Sequence, residues 1–167
     1  MLGNKPTWPL MTEPTQPTTV LEHVSSAGSF QDTDLTRRAQ ETGASDFTSH
    51  YRVVKNDLEV ALVVIDRRRD LSALIIYDLF VIKRFRSQGL GSAILTLLEG
   101  IAAKEGFKSA RLCPTQIDSE WPRERLIQWY LRRGFEFDPS NGTEMQKDTI
   151  RCTEICTSDD PSHSREW

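Results

Sequence analysis

The sequence predicts an α/β domain with a mixed sheet and helices on both of its faces. Two extended segments within residues 50–66 flank a turn dipeptide and predict a hairpin. Residues 73–82 are apolar at every position but one, which is typical of a strand covered on both faces. Residues 90–105 then carry apolar side chains at helical spacing, and a second strand–helix unit and two strands follow.

The first half of the chain contains a strand, a helix and the hairpin. Residues 18–24 are predicted to form the strand, and residues 30–43 a short helix that ends at a glycine. The hairpin turns at Asn56-Asp57, because these two residue types favour tight turns. The charged run Arg67–Arg69 is predicted to be the solvated tip of the next turn.

The second half contributes two helices that alternate with strands. The first helix, Leu90–Glu105, has apolar residues at positions 90, 94, 97, 98 and 101, and Gly106 suits its C-terminal cap. The next strand, residues 107–113, runs parallel to residues 73–82 if this helix crosses over between them. Cys113, at its end, is predicted to be a small buried residue.

A last helix begins near Pro122, which suits a first helical turn, and ends at Arg132-Arg133-Gly134. It carries Leu126, Trp129 and Tyr130 on one side. Strands at residues 135–137 and 144–150 are predicted to complete the sheet.

Composition limits the classes of protein that fit. The chain has 167 residues, which suits one domain, and its formal net charge of -3 offers no basic footprint for nucleic acid. The three cysteines do not suggest a disulfide scaffold, and Cys152 and Cys156 make only a weak metal pair. The sequence shows no secretory signal and no apolar run of membrane-spanning length. We therefore expect a cytoplasmic protein with no metal, no nucleic-acid partner and no membrane partner.

The ends of the chain differ from its centre in composition. Residues 1–17 are rich in Pro and Thr and have no hydrophobic period, which predicts a disordered N-terminal arm. Residues 151–167 are predicted to form a polar C-terminal tail. The folded domain is then expected at residues 18–150.

A turn with two glycines follows the apolar strand and opens the first long helix. Its sequence, residues 86–91, is Arg-Ser-Gln-Gly-Leu-Gly. A P-loop would need Gly-Lys-Ser/Thr, but Gly91 is followed by Ser92. A dinucleotide-binding fingerprint would need Gly or Ala at position 94, where Ile94 stands, and this nearly excludes a dinucleotide oxidoreductase. The pattern that remains is Arg/Gln-x-x-Gly-x-Gly/Ala.

This turn has the chemistry of an anion site. A helix N-terminus leaves about four backbone N–H groups unpaired and carries about half a positive charge. Glycine lets a phosphate approach the backbone because it has no Cβ, so a pyrophosphate could lie across the turn. Lys83, Arg84 and Arg86 are expected to add positive charge alongside. The alternative is that Gly89 and Gly91 only shape a strand-to-helix turn.

Two segments together resemble the GCN5-related N-acetyltransferase (GNAT) superfamily. "DLFVIKRFRSQGLGSAIL" is similar to its acetyl-CoA motif, and Tyr130 to Phe135, within "LIQWYLRRGFEF", is similar to its Tyr-x-x-x-Gly-Phe motif. The resemblance covers about Leu58 to Thr149. It implies a mostly antiparallel sheet splayed between two central parallel strands. It also implies transfer of an acetyl group from acetyl-CoA to an amine.

The resemblance also implies roles for particular residues. The strand edge would pair with the pantetheine, and the turn would hold the pyrophosphate. A backbone N–H near Phe80–Val81 would stabilise the oxyanion. Tyr130 would protonate the leaving thiolate, although packing against Leu126 and Trp129 is the alternative. The residues expected to bind the cofactor are Leu79, Phe80, Val81, Arg86, Ser87, Gln88, Gly89, Leu90, Gly91 and Ser92.

Asp78 is the second catalytic candidate, because a lone carboxylate is costly in an apolar strand unless it is paired or solvated. It could receive the proton of the amine or hold a cationic acceptor, and the alternative is a buried salt bridge, for example to an arginine of "LRRGF". Asp118 and Glu120, in a polar loop, either select a cationic acceptor or are simply solvated. Many family members carry an asparagine seven residues before the motif tyrosine, where this chain has Arg123.

Two functions of different classes therefore stay open. The first is an N-acetyltransferase whose acceptor is a small primary amine or a protein amino group, with a homodimer left open. The second is a non-catalytic module that binds acyl-CoA or serves a regulatory role. Retention of Tyr130 and Asp78 favours the enzyme.

Overall fold

A computed structural model of the chain describes residues 19–42 and 47–149. The predicted arm at residues 1–17 and the predicted tail at residues 151–167 lie outside the described residues. Gly43, which was predicted to end the first helix, also lies outside them, as do Cys152 and Cys156.

Seven strands of the described residues form one sheet, in the order β1-β2-β3-β4-β5-β7-β6. Neighbouring strands are antiparallel except β4 and β5, which are parallel. The predicted parallel pair within a mostly antiparallel sheet is therefore confirmed. The strands are β1 (Thr19–Val24), β2 (Thr48–Lys55), β3 (Leu58–Arg68), β4 (Ala73–Val81), β5 (Ser109–Leu112), β6 (Glu136–Asp138) and β7 (Asn141–Asp148).

Helices cover both faces of this sheet, as predicted. They are α1 (Thr33–Thr42), α2 (Leu90–Lys104) and α3 (Arg123–Leu131), with single 3-10 turns at Ala27–Ser29 and Lys83–Phe85. One hydrophobic core lies on the face of α2 and α3, and Leu98 is among its fully buried residues. A second core lies on the face of α1, where Leu35 packs with Leu62 and Phe80 of the sheet.

The two central parallel strands separate after a short paired stretch, which confirms the predicted splay. They pair from Ala73 with Ser109 to Ile76 with Leu112, and within the described residues the rest of β4 has no strand partner on this side. A bulge at Tyr77 shifts the register of β4 against β3. Beyond it, Asp78 and Phe80 lie on the α1 face of the sheet, whereas Leu79 and Val81 face the α2 side. The bulge and the splay together open a cleft at the end of β4.

Two local predictions were wrong. Arg67 and Arg68 belong to β3 instead of a turn tip, since the turn comes at residues 69–72, and the Arg67 Nε lies 2.9 Å from a carboxylate oxygen of Glu105. Cys113 is exposed because β5 ends one residue before it, and its Sγ donates to the Thr143 carbonyl at 3.3 Å.

Candidate active site

The glycine turn places an uncapped helix N-terminus at the end of the cleft. Gly89 is the N-cap of α2 with φ of 76°, a left-handed conformation that glycine adopts at little cost. The first backbone bond of the helix runs from the Ala93 N–H to the Gly89 carbonyl, so the three preceding N–H groups have no intrahelical acceptor. No side chain of the described residues caps this end, and the first turn of α2 has no acidic residue. These donors suit an anion.

The two glycines of the turn have different roles. A Cβ on Gly89 would meet nothing within 4 Å, so this position is open to an approaching ligand. A Cβ on Gly91 would lie 3.2 Å from the Trp129 ring. The missing Cβ at Gly91 therefore makes room for a tryptophan of α3, whereas the missing Cβ at Gly89 leaves the turn open.

Gly91→Ala is expected to destabilise the fold by about 1 kcal/mol, because the packed Trp129 ring must shift. Gly100→Ala is the matched control in the same helix, since its Cβ would meet nothing within 4 Å. Gly100→Ala should stabilise by about 0.5–1 kcal/mol through helix propensity. Urea unfolding of the two variants measures both effects. Equal stabilisation by both would show that the contact between Gly91 and Trp129 imposes no constraint.

A cavity of about 190 Å³ lies between the free edge of β4, the glycine turn and α3. Nine of the predicted site residues line it, together with Phe85, Ile117, Trp121, Leu126, Trp129 and Arg133, which were not predicted to bind the cofactor. Three predicted residues lie elsewhere: Asp78 and Phe80 are on the α1 face, and the Gln88 amide donates to the Arg84 carbonyl on the exposed surface. The nine are Leu79, Val81, Arg86, Ser87, Gly89, Leu90, Gly91, Ser92 and Tyr130.

The free edge of β4 offers backbone hydrogen-bonding groups to this cavity. The Ile82 N–H donates to the Val60 carbonyl of β3 at 3.1 Å. Neighbouring residues of an antiparallel pair point their N–H and C=O groups to opposite edges, so Leu79 and Val81 point theirs into the cleft. The same alternation turns the N–H of Phe80 toward β3. Of the two N–H groups at the predicted position, that of Val81 therefore faces the cavity and that of Phe80 does not. The N–H of Leu79, which was not predicted as a donor, faces the cavity as well.

The expected excess of positive charge from Lys83, Arg84 and Arg86 is absent, because a carboxylate neutralises each cation. Lys83 pairs with Glu120 at 2.6 Å, and Arg84 pairs with Asp32 at 2.8 Å. Arg86, only 11% exposed, pairs with Asp118 and donates through Nε to the Val81 carbonyl at 2.8 Å. The two loop carboxylates, which sequence analysis left as acceptor ligands or solvated groups, are partners of these cations.

Two of these ion pairs shift the pKa of one of their members. The Arg86 guanidinium holds the pKa of the Asp118 carboxyl below its usual value. The Glu120 carboxylate raises the pKa of Lys83. Both pairs tie the loop after β5 to the segment that precedes the glycine turn. The third arginine of this region, Arg123, donates through Nε to the Pro114 carbonyl at 3.2 Å and thus braces the same loop.

Arg133 is a site residue that the sequence analysis missed. It lies on the cavity wall, with its guanidinium 3.9 Å from the centroid of the Trp129 ring and bonded to the Ser92 hydroxyl. In the sequence Arg133 looked only like the charged end of a helix. The available signal was its place within the Tyr-x-x-x-Gly-Phe motif, three residues after Tyr130 and so near the same face of the chain.

Tyr130 packs in the core and also lines the cavity. Its ring packs edge-to-face on Trp129 and Phe135, with centroids 4.8 and 5.6 Å apart, and the residue is 8% exposed. Its hydroxyl has no hydrogen-bond partner in the described part of the chain, and the residue lines the cavity. Burial raises the pKa of Tyr130 above its usual range, and the charge of Asp78 adds to this effect. The hydroxyl therefore stays protonated near neutral pH.

Asp78 forms an ion pair with α1 instead of with the arginines of "LRRGF". Its carboxylate accepts from Arg38 Nε at 2.6 Å and Nη2 at 3.1 Å, and from the Thr42 hydroxyl at 3.1 Å. Asp78 is 8% exposed and the Arg38 side chain 23%. The carboxylate is thus occupied on both oxygens by partners from the end of α1.

Within residues 19–42 and 47–149, no group of three or more His, Cys, Asp or Glu side chains could hold a metal ion. In the same ranges, none of the helices is long and apolar enough to cross a membrane.

Solved structures with this fold include several acetyltransferases. The chain aligns with the KacTA–DNA complex at a TM-score of 0.58 and 16% identity, over 79% of this chain and 94% of that one. It aligns with the ribosomal-protein-S18-alanine N-acetyltransferase of Escherichia coli at a TM-score of 0.56 and 14% identity, over 83% of this chain and 98% of that one. With a GNAT acetyltransferase of Elizabethkingia anophelis that has acetyl-CoA bound, the TM-score is 0.54 and the identity 14%, over 78% of this chain and 97% of that one. Against two longer acetyltransferases, the chain spans 66% and 67% of their length.

The family of this chain is shown by comparison of its sequence with family models. A search of curated proteins gives no match to this sequence. The family comparison does match: residues 18–135 fit the acetyltransferase (GNAT) family, a range that includes the splayed strand, the glycine turn and the Tyr130 motif. The chain therefore belongs to the GNAT family of acetyltransferases.

Proposed function

We propose that the protein transfers an acetyl group from acetyl-CoA to a primary amine by direct attack of the amine on the thioester. One observation carries the proposal: the free edge of β4, the uncapped N-terminus of α2 and the Tyr130 residue meet in one cavity. A strand edge suits the amides of pantetheine, and a helix N-terminus suits a diphosphate. The cavity thus offers matching groups along the length of one ligand.

In the proposed mechanism, the backbone of Leu79 and Val81 orients the thioester arm of the substrate. As the amine nitrogen bonds to the carbonyl carbon, charge grows on the carbonyl oxygen, and one of these N–H groups stabilises it. The C–S bond then breaks, and the Tyr130 hydroxyl gives its proton to the departing thiolate. The amine loses one proton to solvent, and the tyrosinate regains one from solvent.

Asp78 serves, in this proposal, to fix α1 against β4 beside the cleft. Its two oxygens already accept three hydrogen bonds, which leaves it poorly placed to receive a proton from an amine. Burial is the main cause of the raised pKa of Tyr130, and the charge of the Asp78 carboxylate adds to it, so both favour the protonated hydroxyl. The base role and the ion-pair role predict different behaviour on substitution.

Asp78→Asn is expected to lower the free energy of unfolding by about 1–3 kcal/mol, because Arg38 loses its counter-charge. Arg38→Gln breaks the same pair from the other side and should cost a similar amount. Chemical denaturation measures both, and single-turnover rates are compared at a temperature where both variants are folded. A loss of kcat above about 100-fold in Asp78→Asn, with Arg38→Gln near wild type, would assign Asp78 the base role.

A non-catalytic acyl-CoA-binding module is the second candidate. Two observations favour it: Asp78 is bonded to Arg38, and no carboxylate of the described residues lines the cavity. Both candidates bind acetyl-CoA, so binding alone does not separate them. Turnover does.

The test is a panel of acceptors incubated with the protein and acetyl-CoA. Free thiol is followed in time, and mass spectrometry identifies the acetylated product. The panel combines small primary amines with peptides that offer an N-terminal or lysine amino group, including N-terminal alanine, because a structural neighbour is an S18-alanine N-acetyltransferase. Acceptor-dependent thiol release with at least one member supports the enzyme. Tight acetyl-CoA binding with no transfer to any member would favour the binding module.

A further inference from the structure

Arg133 is a cation of the cavity wall that has no carboxylate partner among the described residues. The other arginine on this wall, Arg86, is paired with Asp118. In the described part of the chain, no Asp or Glu side chain forms an ion pair with Arg133. A partly buried charge without a counter-charge is costly, so its presence beside a ligand cavity calls for an explanation.

The guanidinium of Arg133 is held in place on three sides. Its plane lies over Trp129, one terminal nitrogen donates to the Trp129 carbonyl at 3.1 Å, and the other donates to the Ser92 hydroxyl. The Nε–H is buried and has no acceptor. Because Ser92 belongs to the first turn of α2, these contacts fix the cation beside the helix N-terminus.

This position concentrates positive charge. A helix N-terminus carries about half a positive charge, so a cation beside it is repelled. The first turn of α2 has no acidic residue to compensate, and the adjacent Arg132 is also positive. Burial lowers the pKa of the Arg133 guanidinium, and the charge of Arg132 adds to this effect. An anion in the cavity would relieve all of these repulsions together.

We propose that Arg133 binds the diphosphate of the coenzyme, as the side-chain cation that complements the backbone donors of the glycine turn. The inference rests on the proposed function and goes beyond it, since it names the residue that selects the nucleotide half of the substrate. Each terminal nitrogen of Arg133 carries a second N–H beyond the one it donates within the protein. The planar guanidinium can present these to two phosphate oxygens at once.

The test compares Arg133→Gln with Arg132→Gln, a control that removes the same charge from an exposed neighbour. Calorimetry measures the binding of coenzyme A and of 3′-dephospho-coenzyme A, and an NMR titration measures S-acetylpantetheine, which lacks the diphosphate. Arg133→Gln should weaken both nucleotides by about 10- to 100-fold and leave S-acetylpantetheine unchanged. Arg132→Gln should change every affinity by less than about threefold. Arg133→Lys should recover part of the loss, because it restores charge without the planar fork.

Several results would overturn the inference. A loss confined to coenzyme A would move the contact to the 3′-phosphate. An equal loss for S-acetylpantetheine would make Arg133 a packing residue for Trp129. Unchanged nucleotide binding in Arg133→Gln, with tight binding by the wild type, would remove Arg133 from the site and leave the proposed function standing. Failure of the wild type to bind coenzyme A would instead remove the proposed function. Melting curves without ligand establish that each variant is folded, and if Arg133→Gln is not, the Arg133→Lys affinities decide.

Discussion

Tyr130→Phe is expected to lower kcat by about 10²–10⁴-fold while acetyl-CoA affinity hardly changes. The ring stays, with its contacts to Trp129 and Phe135, and only the hydroxyl that is proposed to donate the proton is removed. The effect on affinity is small because the hydroxyl matters mainly as the thiolate forms. Because a thiol is a good leaving group, the loss of kcat should lie toward the low end of this range. Single-turnover kinetics measures the rate of the chemical step.

Two observations control this experiment. The melting temperature of Tyr130→Phe should match that of the wild type, because the hydroxyl makes no hydrogen bond in the described part of the chain. Since burial raises the pKa of Tyr130 above its usual range, the rate should show no fall with rising pH below about pH 10 in the wild type. Near-wild-type chemistry in Tyr130→Phe would reduce Tyr130 to a packing residue.

Gly89→Asp is expected to weaken acetyl-CoA binding by about 100-fold or more. A side chain at this position enters open space in front of the uncapped helix N-terminus, where the diphosphate is proposed to lie. The carboxylate would repel the diphosphate and compete for its backbone donors. Calorimetry with acetyl-CoA measures the loss.

Gly89→Asn is the matched control for Gly89→Asp. Asparagine has nearly the same size, tolerates the left-handed backbone of position 89 about as well and carries no charge. The affinity difference between the two variants therefore isolates the charge effect. Equal affinities in two folded variants would show that no anion lies at this turn.

The sequence could predict the features that depend on local pattern. The apolar run at β4, the glycines at the start of α2 and the Tyr130 motif each carry their signal within a few neighbouring residues. The cavity consequently unites nine of the predicted site residues. The bulge at Tyr77 could not be predicted, because a single unpaired residue leaves no mark in an apolar run, and it moves Asp78 and Phe80 to the α1 face.

Charge pairing could not be predicted for a different reason. Arg38 and Asp78 are 40 positions apart, and Arg84 and Asp32 are 52 apart, so neither pair shows a spacing signal. A run of cations in a sequence gives the charges but not their partners. The cations before the glycine turn therefore looked available for phosphate although each is neutralised. Arg133 was predicted only as part of the charged end of a helix. It is, however, the arginine on the cavity wall that has no carboxylate partner in the described residues.

A crystal structure of the protein with coenzyme A bound tests the central claim most directly. The account predicts diphosphate oxygens about 2.7–3.2 Å from backbone nitrogens of residues 89–92, and pantetheine amides paired with the edge of β4 at Leu79 and Val81. It also predicts the coenzyme sulfur within hydrogen-bonding reach of the Tyr130 hydroxyl. A coenzyme bound outside this cleft, or a sulfur remote from Tyr130, would contradict it.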